Sequence, residues 1–142
     1  MAAPTCFCGS TSHLDSNAKI YGREYGNGKV YLCDNWPKCD GAVGTDPKGK
    51  PLGTMTDGET RKLRRKLHSI IDPLWQNQNR PRRKARGSVY GWMQRISGLS
   101  PKECHIAMFD AKQCITMLGA IAKNPYKYDE PLYPELKDKP YF

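Results

Sequence analysis

Cys6, Cys8, Cys33 and Cys39 fall into two close pairs within the first forty residues. Thiolates are the ligands that a structural zinc ion prefers, and two pairs carried on turns at the ends of a hairpin can enclose it tetrahedrally. Gly9 follows the first pair and Gly41 lies just beyond the second. Glycine lets the backbone curl beneath a metal, as a knuckle turn requires. The spacings, C-x-C and C-x5-C, depart from the usual C-x2-C, and His13 is a possible substitute should one cysteine stay out. The competing reading is four reduced, partly buried cysteines that bind nothing. It fits less well, because the segment around them holds too few apolar residues to build a core. Cys104 and Cys114 lie further along, in helical surroundings, and read as core thiols.

A second set of residues could bind anions. Residues 61–86 contain Arg61, Lys62, Arg64, Arg65, Lys66, Arg80, Arg82, Arg83, Lys84 and Arg86 against one acid, Asp72. The formal net charge of the chain is +9, so this segment holds the whole excess. Such confinement points to one polyanion-facing surface, nucleic acid being the natural partner, although a solvated basic helix face is the plainer alternative. Trp75 and Trp92 fall on apolar faces and read as core. Tyr21, Tyr25 and Tyr31 are better placed for base stacking, or for packing across a hairpin. No recognition helix with a clean reading face is visible, which argues against sequence-specific readout.

Signals for catalysis are weak. There is no Gly-rich phosphate loop, no H-E-x-x-H and no paired-carboxylate motif. His68 reads as a structural histidine on a helix shoulder, and His105 beside Cys104 would point away from the thiol on a helix. A non-enzymatic protein is the expectation.

These residues need elements to hold them. Residues 18–33 carry two β-prone runs around Gly26-Asn27-Gly28, a strong hairpin turn. Residues 40–55 read as an irregular loop rich in Gly, Pro, Thr and Asp. Thr56-Asp57-Gly58-Glu59 is a capping box opening a helix over 57–72, with Leu63, Leu67, Ile70 and Ile71 inward and Pro73 ending it. Residues 76–87 read as a basic loop, 88–98 as a helix with Val89, Trp92, Met93 and Ile96 inward. Ser100-Pro101-Lys102-Glu103 opens a short helix. Asp110-Ala111-Lys112-Gln113 opens a last one, with Cys114, Ile115, Met117, Leu118 and Ile121 as its apolar face and Pro125 as its stop. The expected fold is α+β: a zinc-ribbon-like hairpin module (1–45), a basic helical region (46–123) and an extended Pro/Tyr-rich tail (124–142).

With 38% hydrophobic residues and a mean hydropathy of -0.73, the chain is polar for its 142 residues. No apolar run approaches the ~20 residues that span a bilayer, and the N-terminus lacks the pattern of a secretory signal. A reducing cytoplasm is therefore expected, where six cysteines serve as metal ligands or buried thiols rather than disulfides.

The pattern resembles a family of zinc-finger-containing proteins of bacteriophages and prophages. The resemblance runs from about residue 5 to 120. It is carried by Cys8-Gly9-Ser10, Ile20-Tyr21-Gly22, Cys33, Cys39, Val43-Gly44-Thr45 and Pro51-Leu52-Gly53-Thr54. Arg61, Arg64, His68 and Asp72-Pro73-Leu74-Trp75 continue it, then Tyr90, Trp92, Cys104-His105-Ile106, Phe109-Asp110 and Cys114. It implies a zinc-bound fold and, for a phage-type protein in a host cytoplasm, a host protein complex as an alternative partner to nucleic acid. The family's first knuckle would place a ligand at Thr5, where this chain uses Cys6 instead.

Overall fold

The computed structural model describes residues 3–127. It shows an α+β protein: a three-stranded antiparallel sheet with the cysteine cluster, followed by helices. Residues up to Lys62 form one compact unit and those from Leu63 another.

In the first unit, strand β1 (Ser12–Ser16) pairs with the central strand β2 (Lys29–Cys33), which pairs with β3 (Ala42–Gly44). Side chains alternate across β2. Tyr31 and Cys33 join Val43, Met55 and Cys6 on one face, whereas Val30 and Leu32 join Ala42, Ile20 and Trp36 on the other. The register Tyr31↔Val43 and Leu32↔Ala42 keeps each pair on its own face. Each of these two clusters is small, and the apolar burial in either is a fraction of a normal domain core.

The expected hairpin over 18–33 is half correct. Its second strand is β2, but residues Ala18–Tyr21 form a short helix, α1, and β1 lies before it. The Asn17 side chain is the cause. It accepts from the Tyr25 amide at 3.1 Å and donates to the Tyr25 carbonyl at 2.9 Å, tying residues 17–25 into a closed excursion. The Gly26-Asn27-Gly28 turn sits at the end of that excursion, with both glycines at positive φ. Asn27 donates from its side chain to the carbonyls of Thr45 and Asp46 at 3.0 and 3.1 Å, so the turn also anchors the segment after β3. Residues 40–55, expected to be a loop, therefore contain β3; Ala42 also bridges Thr56.

Helix α2 (Gly58–Gln76) begins one residue later than the Thr56 box implies: Asp57 accepts from the Thr60 amide at 2.8 Å. It runs through Pro73. An interior proline costs about 3 kcal/mol, and here the packing of Leu74 and Trp75 on the helical core outweighs it. Trp75 also donates from Nε1 to Asp72 at 3.2 Å. Ile70 is only half buried and lies outside that core, contrary to its expected inward place.

Helix α3 (Arg82–Ser97) starts well before residue 88, so Arg82, Arg83, Lys84 and Arg86 are helical rather than looped. Ala85, Val89, Trp92 and Met93 are its buried stripe. Ser100 and Glu103 make both bonds of a reciprocal capping box, at 3.0 and 3.2 Å, without a helix following. The chain turns inward instead, burying Cys104, Ile106 and Phe109, with a single 3-10 turn at Ile106–Met108. Helix α4 (Ala111–Lys123) has the expected capping box of Asp110 and Gln113. Cys114 and Met117 are buried, while Ile115 points outward and is 60% exposed. Leu67, Ile71, Val89, Met93, Phe109 and Cys114 are fully buried at the centre of this unit. Tyr126 packs edge-on to Trp92, so the first residues of the expected tail cover the core; the rest of that tail, 128–142, lies outside the described residues.

Phe109 has no exposed surface. Phe109→Ala should destabilise the helical unit by about 3–5 kcal/mol, whereas Asp110→Ala, which removes only the cap of α4, should cost about 1 kcal/mol. Chemical denaturation followed by circular dichroism distinguishes the two.

Candidate metal centre and basic surface

The first knuckle is a tight turn. Gly9 donates to the Cys6 carbonyl at 2.8 Å, with Gly9 at φ +89°, and the Cys6 amide donates to Ser10 O at 2.9 Å. Cys33 ends β2, where Trp36 donates to the Cys33 carbonyl at 2.9 Å and Cys39 to Asn35 O at 3.1 Å. The five intervening residues are thus folded into two turns, and a C-x5-C spacing delivers two sulfurs to one point.

All four sulfurs converge. They lie within 4.8 Å of one another, with Cys6···Cys39 at 3.7 Å and Cys8···Cys33 at 3.6 Å. Four thiolates at 2.3 Å from a tetrahedral zinc would stand about 3.8 Å apart. Disulfide formation does not account for the grouping, because all the cysteines are free.

The backbone around the cluster repeats one device. Each sulfur receives the amide of the residue two positions on: Cys8 to Cys6, Ser10 to Cys8, Asn35 to Cys33 at 3.4 Å, and Gly41 to Cys39. Such donors favour the thiolate. A Cβ at Gly41 would overlap Cys6 Sγ, so the residue must be glycine for the sulfurs to close together.

The thiols differ in acidity. The Ser10 amide, with the Cys33 sulfhydryl, lowers Cys8 to about 7. Burial pushes Cys6 up to about 12. The Gly41 amide pulls Cys39 down, but burial and the sulfurs of Cys8 and Cys33 outweigh it and its pKa rises. Four thiolates at this spacing would repel one another strongly, and a divalent cation removes that penalty. The donor set fits zinc, and Cys6, Cys8, Cys33 and Cys39 would hold it as a closed structural site.

His13 is not in the cluster. Its Nδ1 faces Asp34 Oδ1 at 2.7 Å and its Nε2 faces Asp15 Oδ2 at 3.1 Å. Asp34, then Asp15, raise its pKa, favouring an imidazolium with no lone pair to offer a metal. Thr11, just before β1, also bonds Asp34, so it and His13 of β1 together hold the residue next to Cys33.

A family described as a zinc-finger-containing domain matches residues 2–124. The chain belongs to that family. No curated protein and no solved structure matches it. In this member the first knuckle uses Cys6 and Cys8, and the sulfurs still meet.

The ten basic residues divide. Arg61 donates from Nη1 to the carbonyls of Asp40 and Thr56, at 2.7 and 2.6 Å, fastening the segment after Cys39. Arg64 donates from Nε to Phe109 O at 2.8 Å, and Arg80 to Gln78 at 2.7 Å. Lys62, Arg65 and Lys66 are exposed on α2, and Arg82, Arg83, Lys84 and Arg86 are exposed at the start of α3. Arg82 and Arg86 lie over Trp75, at 5.2 and 5.9 Å from its ring centroid, and Arg86 lies 5.1 Å from that of Tyr90. Sequence reasoning missed this alternation of rings and guanidinium groups, because residues 76–87 read as a loop.

Trp92 is core, as expected. Tyr31 is buried, its hydroxyl donating to Gly49 O at 3.1 Å, and so is no stacking residue. Tyr21 and Tyr25 are exposed and meet edge-on at 5.5 Å. Cys104 and Cys114 are buried, and burial raises both thiols. His68 is held by Asp72 at 3.4 Å. Among the described residues no helix is long and apolar enough to cross a membrane.

Protein purified without chelator should contain about one zinc per chain by elemental analysis. Cys33→Ser should lose the metal and unfold the first unit while α3 and α4 persist, and Gly41→Ala should weaken zinc binding about tenfold or more. Cys6 and Cys39 are both protonated at neutral pH without metal. Zinc must therefore displace at least these two protons, and its apparent affinity should fall at least about a hundredfold per unit of acidification, measured by competition with a chromogenic chelator.

Proposed function

We propose that this zinc-finger protein is a non-catalytic nucleic-acid-binding protein whose contacts come from the basic side chains of α2 and α3. The observation that carries the reading is the exposed quartet Arg82, Arg83, Lys84 and Arg86 in the opening turns of a helix with no acidic residue in its first turn. Among the described residues none of the four is ion-paired to a carboxylate. The N-terminal end of α3 adds its own partial positive charge. Phosphates are the partner that such a surface suits, and the release of condensed counterions supplies the driving force.

The non-catalytic half is supported by the surroundings of Cys104 and His68. Cys104 is a buried thiol held neutral, and His68 is engaged with a carboxylate. Zinc in a closed four-sulfur site has no open position for substrate.

Binding to a labelled duplex and to a labelled single strand, each across a salt series, tests the proposal. Affinity should fall linearly on a log–log plot, with several phosphate contacts in the slope. Replacing Arg82, Arg83, Lys84 and Arg86 by Gln should weaken binding by about tenfold or more and flatten that slope, leaving the zinc content unchanged. Binding that ignores salt, or is absent in low salt, rejects the reading.

A further inference from the structure

Gly87 is hard to explain by folding. It lies inside α3, where glycine costs about 1 kcal/mol relative to alanine. A Cβ there would meet nothing within 4 Å, and its backbone is not in the left-handed region. Neither close packing nor a special dihedral requires it. It does, however, line a groove of about 680 Å³ on the second unit, within the range of sites that hold small organic groups.

The walls of the groove combine charge with flat surface. Arg82, Arg83 and Arg86 stand along one side, each exposed. Tyr90 continues the same helix face one turn beyond Arg86, and Gln94 one turn beyond that. Pro101, Cys104 and His105, from the segment that follows α3, complete its lining. Arg86 has Trp75 and Tyr90 as ring neighbours. A guanidinium with rings as neighbours keeps its N–H groups for a charged partner, and a phosphate can take two of them.

We infer that this groove seats an unpaired base of a single-stranded nucleic acid, with the adjoining phosphates on Arg82, Arg83 and Arg86. The inference rests on the nucleic-acid reading above and gives it a strand preference. The base lies against Tyr90 over the open floor left by Gly87, and the Gln94 amide faces its polar edge. A duplex keeps its bases stacked and paired, so it reaches the arginines but not the slot. An acidic peptide would satisfy the arginines, yet it has no use for a flat slot floored by bare backbone.

Fluorescence anisotropy with a mixed-sequence single strand and a duplex of the same length, at one salt concentration, reads the preference. The wild-type protein should bind the single strand at least tenfold more tightly. Gly87→Leu fills the slot with a residue of better helix propensity. Its melting temperature should not fall, its duplex affinity should be unchanged, and its single-strand affinity should drop to the duplex value. Gly87→Ala should keep most of the preference and melt higher. Equal affinity of wild type for both nucleic acids, or a Gly87→Leu variant with its preference intact, overturns the groove while nucleic-acid binding stands. Binding of a glutamate-rich peptide as tightly as the strand, abolished by Gly87→Leu, assigns the groove to acidic protein and overturns the inference. Failure of wild type to bind either nucleic acid removes this inference together with the reading beneath it.

Discussion

Four sulfur atoms gathered within 4.8 Å of one another are the constraint on which the first unit depends. As thiolates they repel, and as thiols they are weak packing partners, so proximity alone contributes little to stability. A divalent cation reverses the sign of that interaction and ties the N-terminal turn, the end of β2 and the segment before β3 to one point. The two apolar clusters of the unit are too small to do this by burial. Gly41 and the four amides that face the sulfurs are consequences of the same requirement.

The second unit is organised differently. Its stability is carried by a contiguous apolar cluster around Leu67, Met93 and Phe109, with ordinary helix caps at its edges. That leaves its surface chemistry free for other use. The basic residues show the division: Arg61 and Arg64 are spent on backbone carbonyls, whereas the arginines of α3 face outward beside aromatic rings. A charge count along the sequence treats all ten alike, and only the structure separates those that fasten backbone carbonyls from those that face outward.

Much of this was legible in advance, for physical reasons. The cysteine quartet stood out because thiols are rare in so polar a segment. β2 was visible because Val30, Tyr31 and Leu32 are β-prone and lie between turn signals. The Asp110–Gln113 box announced α4, since both side chains serve orphan amides locally. What failed was decided by distant partners. β1 reads Ser-His-Leu-Asp-Ser and is a strand because β2 and Asp34 bind it. The opening of α3 was hidden because Arg and Lys mark loops and helix faces alike; only Ala85, fully buried, starts the apolar stripe there. Pro73 misled for the opposite reason, its local cost being met by the burial of Leu74 and Trp75. His13 had suitable chemistry for a metal, but two carboxylates claimed both ring nitrogens.

X-ray absorption at the zinc edge tests the central claim most directly. The account predicts a first shell of four sulfurs at about 2.3 Å in the protein as purified, with no nitrogen or oxygen ligand. Bound zinc with a mixed or partly aqueous shell, or a folded N-terminal unit carrying no zinc, would contradict it.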